Sequence, residues 1–411
     1  MLREATDCWT ASAARETPEL FALATSDRRF SASGVRHRLE PGPADTLGER
    51  VRRFFAQERA CCAPELLVGA LPFDRMASDF LFQPETVSDT PLAARPVEAL
   101  PGHKWRIRPE PTRTAYEAAV TRALGLIAQS QGTAAPLDKI VLSRSLLLEA
   151  DAPIDITNLY RRLRGDPAVV RFLTPLGPGA DGQPRHLIGA TPELLLRKQG
   201  AAILSYPLAG SARRSSDTAE DSAQAGKLMG SQKDQREHRW VVEAILDGLS
   251  PYCTHLSAPD IPVLVSTQTM WHLGTPIDGQ LKNADEVSSA ELAAVLHPTP
   301  AVGGTPRDQA LALIPELEGY DRGFYAGAVG WTNRAGDGEW HVSLRCAEVS
   351  GQSARVYAGA GIVEGSRPEE EADETSAKLL AILQALGVNE EGSPPLPPGS
   401  ETAPASCTKA R

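Results

Sequence analysis

Three glutamates, Glu237, Glu371 and Glu374, fall where helical periodicity puts apolar residues, and a carboxylate in that position needs a partner. In KDQREHRWVVEAILDGL (233–249) the apolar face is Val241, Val242, Ile245, Leu246 and Leu249, with Glu237 and His238 four residues upstream of its first two members. In PEEEADETSAKLLAILQAL (368–386), stepping back from Ile382, Leu379 and Leu383 meets Lys378, Glu374 and Glu371 on one stripe. Glu369, Glu370 and Asp373 lie off that stripe and read as solvated or capping residues, as acids near a helix N-terminus usually are. A buried ionised glutamate must meet a cation, a metal or hydrogen-bond donors. Two readings stay open: ion pairs with nearby Lys or Arg, or an all-oxygen environment for a hard cation such as Mg²⁺ that keeps several waters.

Cations and open backbone accompany these acids. In EWHVSLRCAEV (339–349), period-two alternation puts Trp340, Val342, Leu344 and Cys346 on one face and His341, Ser343 and Arg345 on the other. Arg345 and Lys378 thus offer two cations for charge-assisted contacts with a dicarboxylate. The run AGAG (358–361) has no side chain to block a ligand's approach, and it is too short for a dinucleotide-binding fingerprint. His272 reads as a hydrogen-bonding residue, because no second histidine stands at metal-ligand spacing.

The elements that must position these residues are legible in part. Helices are expected from Thr112 or Thr114 onward, over IDITNLYRRLRG, over one long stretch from Asp217 to Leu249, and from about Arg367 to Leu386, where Ser366 and Glu369 form a capping-box pattern around Pro368. Strands are expected over KIVLSRSLLLE, RHLIGATPELLLRK, AAILSYPLAG, EWHVSLRCAEVS and ARVYAGAGIV. Strands joined by short turns with helices segregated between them predict an α+β fold of layered, mostly antiparallel sheets. Residues 19–388 read as a single domain, an N-terminal half (19–111) and a core (112–388), flanked by a loose segment (1–18) and a Pro, Ser and Glu rich tail (389–411) expected to be disordered.

The 411 residues carry a net charge of −10, with 52 acidic against 42 basic side chains, which argues against a nucleic-acid binder. No run of apolar residues is long enough to span a membrane, and the start MLREATDCWT lacks an apolar targeting core. The six cysteines show neither metal-ligand spacing nor a disulfide framework, so a reducing, cytoplasmic setting is expected. An acidic chain with no apolar stripe left over is compatible with a monomer.

Nine stretches in order resemble the chorismate-utilising enzymes: KIVLSR, GATPELLLR, PLAGSARR, KDQREHRWVVEAI, MWHLGTPI, HPTPAVGGTP, GAVGWTN, SLRCAE and AGAGIVEGSRPEEEADETSAK. GALPFDR and FLFQPE extend the likeness to about residue 65. That resemblance implies sheets enclosing a site for chorismate and Mg²⁺, with Glu237 and Glu374 as metal ligands and Glu371 acting through water. It implies that Arg345, Lys378 and the backbone at Gly359 hold carboxylates, that Gly210, Ser211 and His272 line the pocket, that Lys139 activates water, and that Glu193 protonates the departing hydroxyl. Those two roles call for a lysine shifted toward neutrality and a glutamic acid held protonated.

Within the family, Lys139 points away from the ammonia-using anthranilate enzymes and their amidotransferase subunit. Ala301 resembles isochorismate synthases, while Tyr325 resembles salicylate synthases, which go on to eliminate pyruvate. The wider match of HPTPAVGGTP and MWHLGTP favours an isochorismate synthase of siderophore type, with a salicylate synthase as the alternative.

Overall fold

The computed structural model describes residues 20–25, 28–57, 64–89, 103–164, 166–179 and 181–393. The expected loose N-terminus (1–18) lies outside them. The chain adopts the expected α+β architecture: a ten-stranded sheet, a nine-stranded sheet and a three-stranded sheet, with helices packed against them. Every strand pairing among the described residues is antiparallel. The N-terminal half contributes strands to both large sheets. Leu20–Ala24 pairs with Val170–Leu176 in the first, and Leu66–Leu71 pairs with Ala328–Asn333 in the second.

The longest pairing joins Lys139–Ala150 to Ser353–Val363, from Lys139↔Val363 through Val141↔Gly361 and Ser143↔Gly359. Partners in an antiparallel ladder share a face, so Lys139, Val141 and Ser143 stand beside Gly361 and Gly359 on one side of the sheet. Across that face lies helix Gln232–Leu249, which also packs on strand Leu208–Arg213 of the three-stranded sheet. Helix Pro368–Leu386 packs on Ser353–Val363 through Leu379, Ile382 and Leu383, all essentially inaccessible to water. Each such side chain stabilises the packing by about 1.5–3 kcal/mol relative to exposure.

Five expectations change. The strands expected over RHLIGATPELLLRK and AAILSYPLAG are each two, Arg185–Thr191 and Leu194–Gln199, then Ala202–Tyr206 and Leu208–Arg213, because a proline (Pro192, Pro207) interrupts each run where the chain passes from one sheet to another. The single helix over 217–249 is two, Thr218–Gly230 and Gln232–Leu249, because Ser231 turns extended (φ −75°, ψ 113°) and its hydroxyl accepts the Asp234 N–H at 3.2 Å. Glycine at 230 is the weak helix former that lets the break fall there. The capping box at Ser366 does not form; Arg367 is the N-cap, and the Ser366 hydroxyl accepts the Val363 N–H instead, while Pro368 occupies the first turn as expected. The strand expected across 339–349 is broken into Gly338–Val342 in one large sheet and Cys346–Ser350 in the other.

Helix Arg113–Ser130 begins as expected, with the Thr112 hydroxyl accepting the Ala115 N–H at 3.3 Å. Of the tail, residues 389–393 form a turn closed by Asn389 N–H to Ser393 O at 2.9 Å, and 394–411 lie outside the described residues. Cys253 and Cys346 are buried and free. No helix among the described residues is long and apolar enough to cross a membrane.

Candidate active site

One pocket, with empty space of ≈ 890 Å³ including its open mouth, is lined by Glu193, Gly210, Ser211, Glu237, His272, Ala301, Tyr325, Arg345, Gly359, Glu371, Glu374 and Lys378. Twelve of the thirteen residues singled out from the sequence therefore meet in one place. The thirteenth, Lys139, is fully buried beneath it, with Nζ 2.8 Å from Glu237 Oε1. Gly361 leaves the room for that pair: a Cβ there would collide with Glu237 Oε1 and lie 3.0 Å from Lys139 Cε.

Three glutamate–lysine pairs line the polar wall. Besides Lys139–Glu237, Lys378 Nζ is 2.6 Å from Glu374 Oε1 and donates to Gly359 O at 2.9 Å, and Lys233 Nζ is 3.1 Å from Glu371 Oε1. The Ser211 hydroxyl donates to Glu374 at 2.8 Å. The ion-pair reading thus holds for all three acids as they stand, and among the described residues no three His, Cys, Asp or Glu side chains form a ready metal cluster. The pairs are not closed, however. Lys139 Nζ is near Glu237 but makes no aligned hydrogen bond among the described residues, which leaves a buried amine with hydrogen-bonding capacity to spare.

Burial and the neighbouring Glu374 carboxylate push Glu371 up to about 7. Burial opposes ionisation of Glu374 too, but Lys378 and Ser211 hold it below its ordinary value. Asp234, also on the pocket wall, is raised first by burial and further by Glu237. Four carboxylates, those of Asp234, Glu237, Glu371 and Glu374, thus line one pocket, three of them beside a lysine.

A fifth carboxyl, that of Glu193, lines the same pocket. Glu193 sits in the turn between strands Arg185–Thr191 and Leu194–Gln199 and is 3 % exposed. Burial raises its carboxyl from 4.5 to about 8, against the opposing pull of Lys139, so it is protonated at neutral pH.

Arg345 is not on a strand face as the alternation suggested. It occupies the break between the two sheets with φ 47°, and its buried guanidinium donates to His272 Nε2 at 2.6 Å. Because arginine can only donate, His272 Nε2 is the acceptor and the ring is neutral. Burial, then Arg345 and Lys378, hold His272 well below its ordinary pKa, and its other nitrogen bonds the Gly210 carbonyl. Burial also lowers Arg345 to about 10. Tyr325 stacks on Tyr357 with ring centroids 4.8 Å apart and planes 4° apart, and its hydroxyl approaches Gly359. His238, expected on the inner helix face, is buried and bonds Thr275 Oγ1 at 2.7 Å, outside the pocket.

Sequence reasoning missed Lys233, Asp234, Arg322 and Tyr357 on the pocket wall. The first two had a readable signal, since a helix capped at Ser231 carries Lys233, Asp234 and Glu237 in its first two turns.

A fold of layered antiparallel sheets around a pocket of carboxylates, lysines and one protonated glutamic acid defines an enzyme of a single class: the chain belongs to the chorismate binding enzyme family, whose model matches residues 81–387. It is 42% identical over 382 residues to isochorismate synthase DhbC of Bacillus subtilis (strain 168), a match covering 90% of this chain and 94% of that protein. It is 37% identical over 372 residues to the vibriobactin-specific isochorismate synthase of Vibrio cholerae (strain El Tor Inaba N16961), covering 90% and 91%. Among solved structures, DhbC of Bacillus anthracis superposes with a TM-score of 0.82 at 39% identity, covering 90% of this chain and 97% of that one.

Proposed function

We propose that this protein is an isochorismate synthase, which adds water at ring carbon 2 of chorismate and expels the hydroxyl from carbon 4. The observation that carries the reading is a buried glutamic acid, Glu193, kept protonated to about pH 8 in a pocket floored by the buried Lys139. Lys139, in its neutral form, takes a proton from the attacking water and Glu193 gives one to the departing hydroxyl; a proton returned from Lys139 to Glu193 resets both, so the products are isochorismate and water with no net change in protons in solution. Arg345 and Lys378 hold the substrate's carboxylates by charge-assisted hydrogen bonds. His272, locked as a neutral acceptor, aims the Arg345 guanidinium.

The oxygen donors fit Mg²⁺: Glu237 and Glu374 would hold it directly and Glu371 through water, and the ion would supply electrostatic anchorage for the ring carboxylate. Without it, Lys139 and Lys378 Nζ lie 2.8 and 2.6 Å from the carboxylates of Glu237 and Glu374. Relatives at 42% and 37% identity that are named isochorismate synthases support this reading, and the vibriobactin-specific one supports a role in siderophore synthesis. We take the enzyme to act in the cytoplasm as a monomer, with no amidotransferase subunit.

Purified protein given chorismate and Mg²⁺ is expected to form isochorismate without stoichiometric pyruvate, followed by chromatography. Salicylate and pyruvate appearing together in quantity would overturn the reading in favour of a synthase that continues to elimination. Mg²⁺-dependent binding without turnover would reduce the protein to a chorismate sensor.

A further inference from the structure

The arginine that ends the KIVLSR stretch has no place in the site described above. On strand Lys139–Ala150 the side chains of Ile140, Leu142, Leu146 and Leu148 alternate with Lys139, Val141 and Ser143, so they leave the face away from the pocket. All four are at most 2 % exposed, and Arg144, in the middle of their row, is buried as deeply. A charge so buried needs hydrogen-bond partners, whereas an apolar side chain of similar volume would pack there at little or no cost. Stability alone does not account for a guanidinium at this position.

Its partners show what it holds. Nε donates to the Thr375 hydroxyl at 2.8 Å, Nη2 donates to the Ser376 hydroxyl at 2.6 Å, and Nη1 and Nη2 together reach Glu390 Oε2 at 3.3 and 3.2 Å. Thr375 and Ser376 lie between Glu374 and Lys378 on helix Pro368–Leu386, and Thr375 is one turn beyond Glu371. Glu390 comes from the turn after that helix, where the Asn389 side-chain oxygen accepts the N–H groups of Glu391 and Ser393 at 3.1 and 2.8 Å. One guanidinium therefore joins the strand, the helical turn that bears the pocket's acids, and the chain beyond the helix.

The first half of that helix needs such a tie. Its large apolar anchors, Leu379, Ile382, Leu383 and Leu386, all lie in the second half, and before them the buried residues are Glu371, Ala372 and Thr375. Ala372 and Thr375 offer little apolar area to fix rotation about the helix axis, and the Arg113–Asp373 pair on the outer side is exposed and contributes little. We propose that Arg144 and Glu390 are positioning residues: they fix the rotation of this helix, and with it the aim of Glu374 and Lys378 into the pocket. Neither of the two lines the pocket. The proposal rests on the reading that Glu374 and Lys378 hold chorismate and its metal ion.

The test is steady-state kinetics with chorismate, with Mg²⁺ binding measured separately by calorimetry in the absence of substrate. It compares full-length wild type, Arg144→Met, Arg144→Lys, Glu390→Gln and Glu391→Gln, each well below its own melting temperature. Arg144→Met is expected to raise KM for chorismate and to weaken Mg²⁺ binding by about 10-fold, the lower end for loss of an outer support, with kcat at saturation within about 2-fold of wild type. Arg144→Lys keeps the charge without the planar fork and should fall between the two. Glu390→Gln should raise KM about 2–3-fold, as loss of a partly exposed pair allows. Glu391→Gln makes the same charge change one residue further along, away from the Arg144 contacts, and should match wild type. An arginine that only stabilises the fold would lower the active fraction, and so the apparent kcat, at constant KM. That result, or wild-type KM and Mg²⁺ binding in Arg144→Met, overturns the proposal. Should Arg144→Met not fold, Glu390→Gln decides, and a KM equal to that of Glu391→Gln overturns the proposal. A wild type that neither binds nor turns over chorismate overturns the functional reading, and this proposal with it.

Discussion

Two sets of ion pairs meet strand Lys139–Ala150 within a few residues of each other, one at Lys139 and one at Val141 and Ser143, and they are built to opposite ends. At one edge of the pocket, where Arg322 joins the wall, the Glu318 and Arg322 side chains are both at most 2 % exposed and meet at 2.6 and 2.9 Å. Glu318 also accepts the Ser143 N–H and hydroxyl, and Arg322 also donates to Val141 O and Val302 O, both at 2.8 Å. That pair ties strand Lys139–Ala150 to the loop carrying Ala301 and to helix Arg307–Glu318. In the pocket, Lys139 is as deeply buried, yet its contact with Glu237 is unaligned, and the Lys378–Glu374 and Lys233–Glu371 pairs are partly open. Burial alone therefore does not separate a structural charge from a working one. What separates them is hydrogen-bonding capacity left over, which in the pocket is available to a ligand.

Removing one member from each set should break in different observables. Lys139→Ala is expected to lower turnover of chorismate at least ~10³-fold, within the range for loss of a general base. Its melting temperature should stay near that of wild type, because Glu237 is left facing a solvated pocket. Steady-state rates and a thermal melt check both halves. Glu318→Ala should instead destabilise the protein by about 3–5 kcal/mol, because it strands the buried Arg322 charge. Urea unfolding reads this directly, and a Glu318→Ala protein of wild-type stability would erase the distinction drawn above.

The pocket's own charge state sets the next effect. The folded-state pKa of Glu193, about 8, lies above its ordinary 4.5, so between those values the native state binds a proton that the unfolded chain does not. Its contribution to stability is fully present below about pH 4.5 and is lost as pH rises toward 8. If the protonated form serves the leaving hydroxyl, as proposed, kcat/KM should fall about tenfold per pH unit above about 8. Glu193→Gln should flatten the decline in stability between pH 5 and 8, measured by urea unfolding at several pH values. An unchanged slope would mean that the carboxyl is not buried in its acid form.

Much of this site was legible because helical phase is rigid: Glu237, Glu371 and Glu374 were placed inward from the apolar residues that follow them, and all three line the pocket. Lys139 and Glu193 were not recoverable from pattern, since a lysine opening a strand and a glutamate after proline are ordinary surface residues; only the order of motifs pointed to them. Arg345 was put on the wrong kind of element. Period-two alternation runs unbroken through 339–349, and nothing in it marks a residue at φ 47° where the chain leaves one sheet for another. Tyr357 is invisible for a related reason, because its stacking partner Tyr325 comes from a distant segment, while Arg322 four residues after Glu318 reads as an ordinary exposed helix pair.

The smallest effect tests whether the helix break at Ser231 serves the site or only the fold. Two neighbouring helices are capped in the same way: the Asp217 carboxylate accepts the Glu220 N–H at 2.9 Å, and the Ser231 hydroxyl accepts the Asp234 N–H at 3.2 Å. Replacing either by alanine should reduce stability by about 1 kcal/mol. The Ser231 helix also carries Lys233, Asp234 and Glu237 in its first two turns, whereas no residue of helix Thr218–Gly230 touches the pocket. Anchored by Val241, Ile245 and Leu249, the Ser231→Ala helix should fray only at its start. Ser231→Ala should therefore raise KM for chorismate roughly 2–3-fold while Asp217→Ala leaves it unchanged, an energy gap of under about 1 kcal/mol set by which cap borders the ligand. Equal kinetics in the two variants would make Ser231 a cap and nothing more.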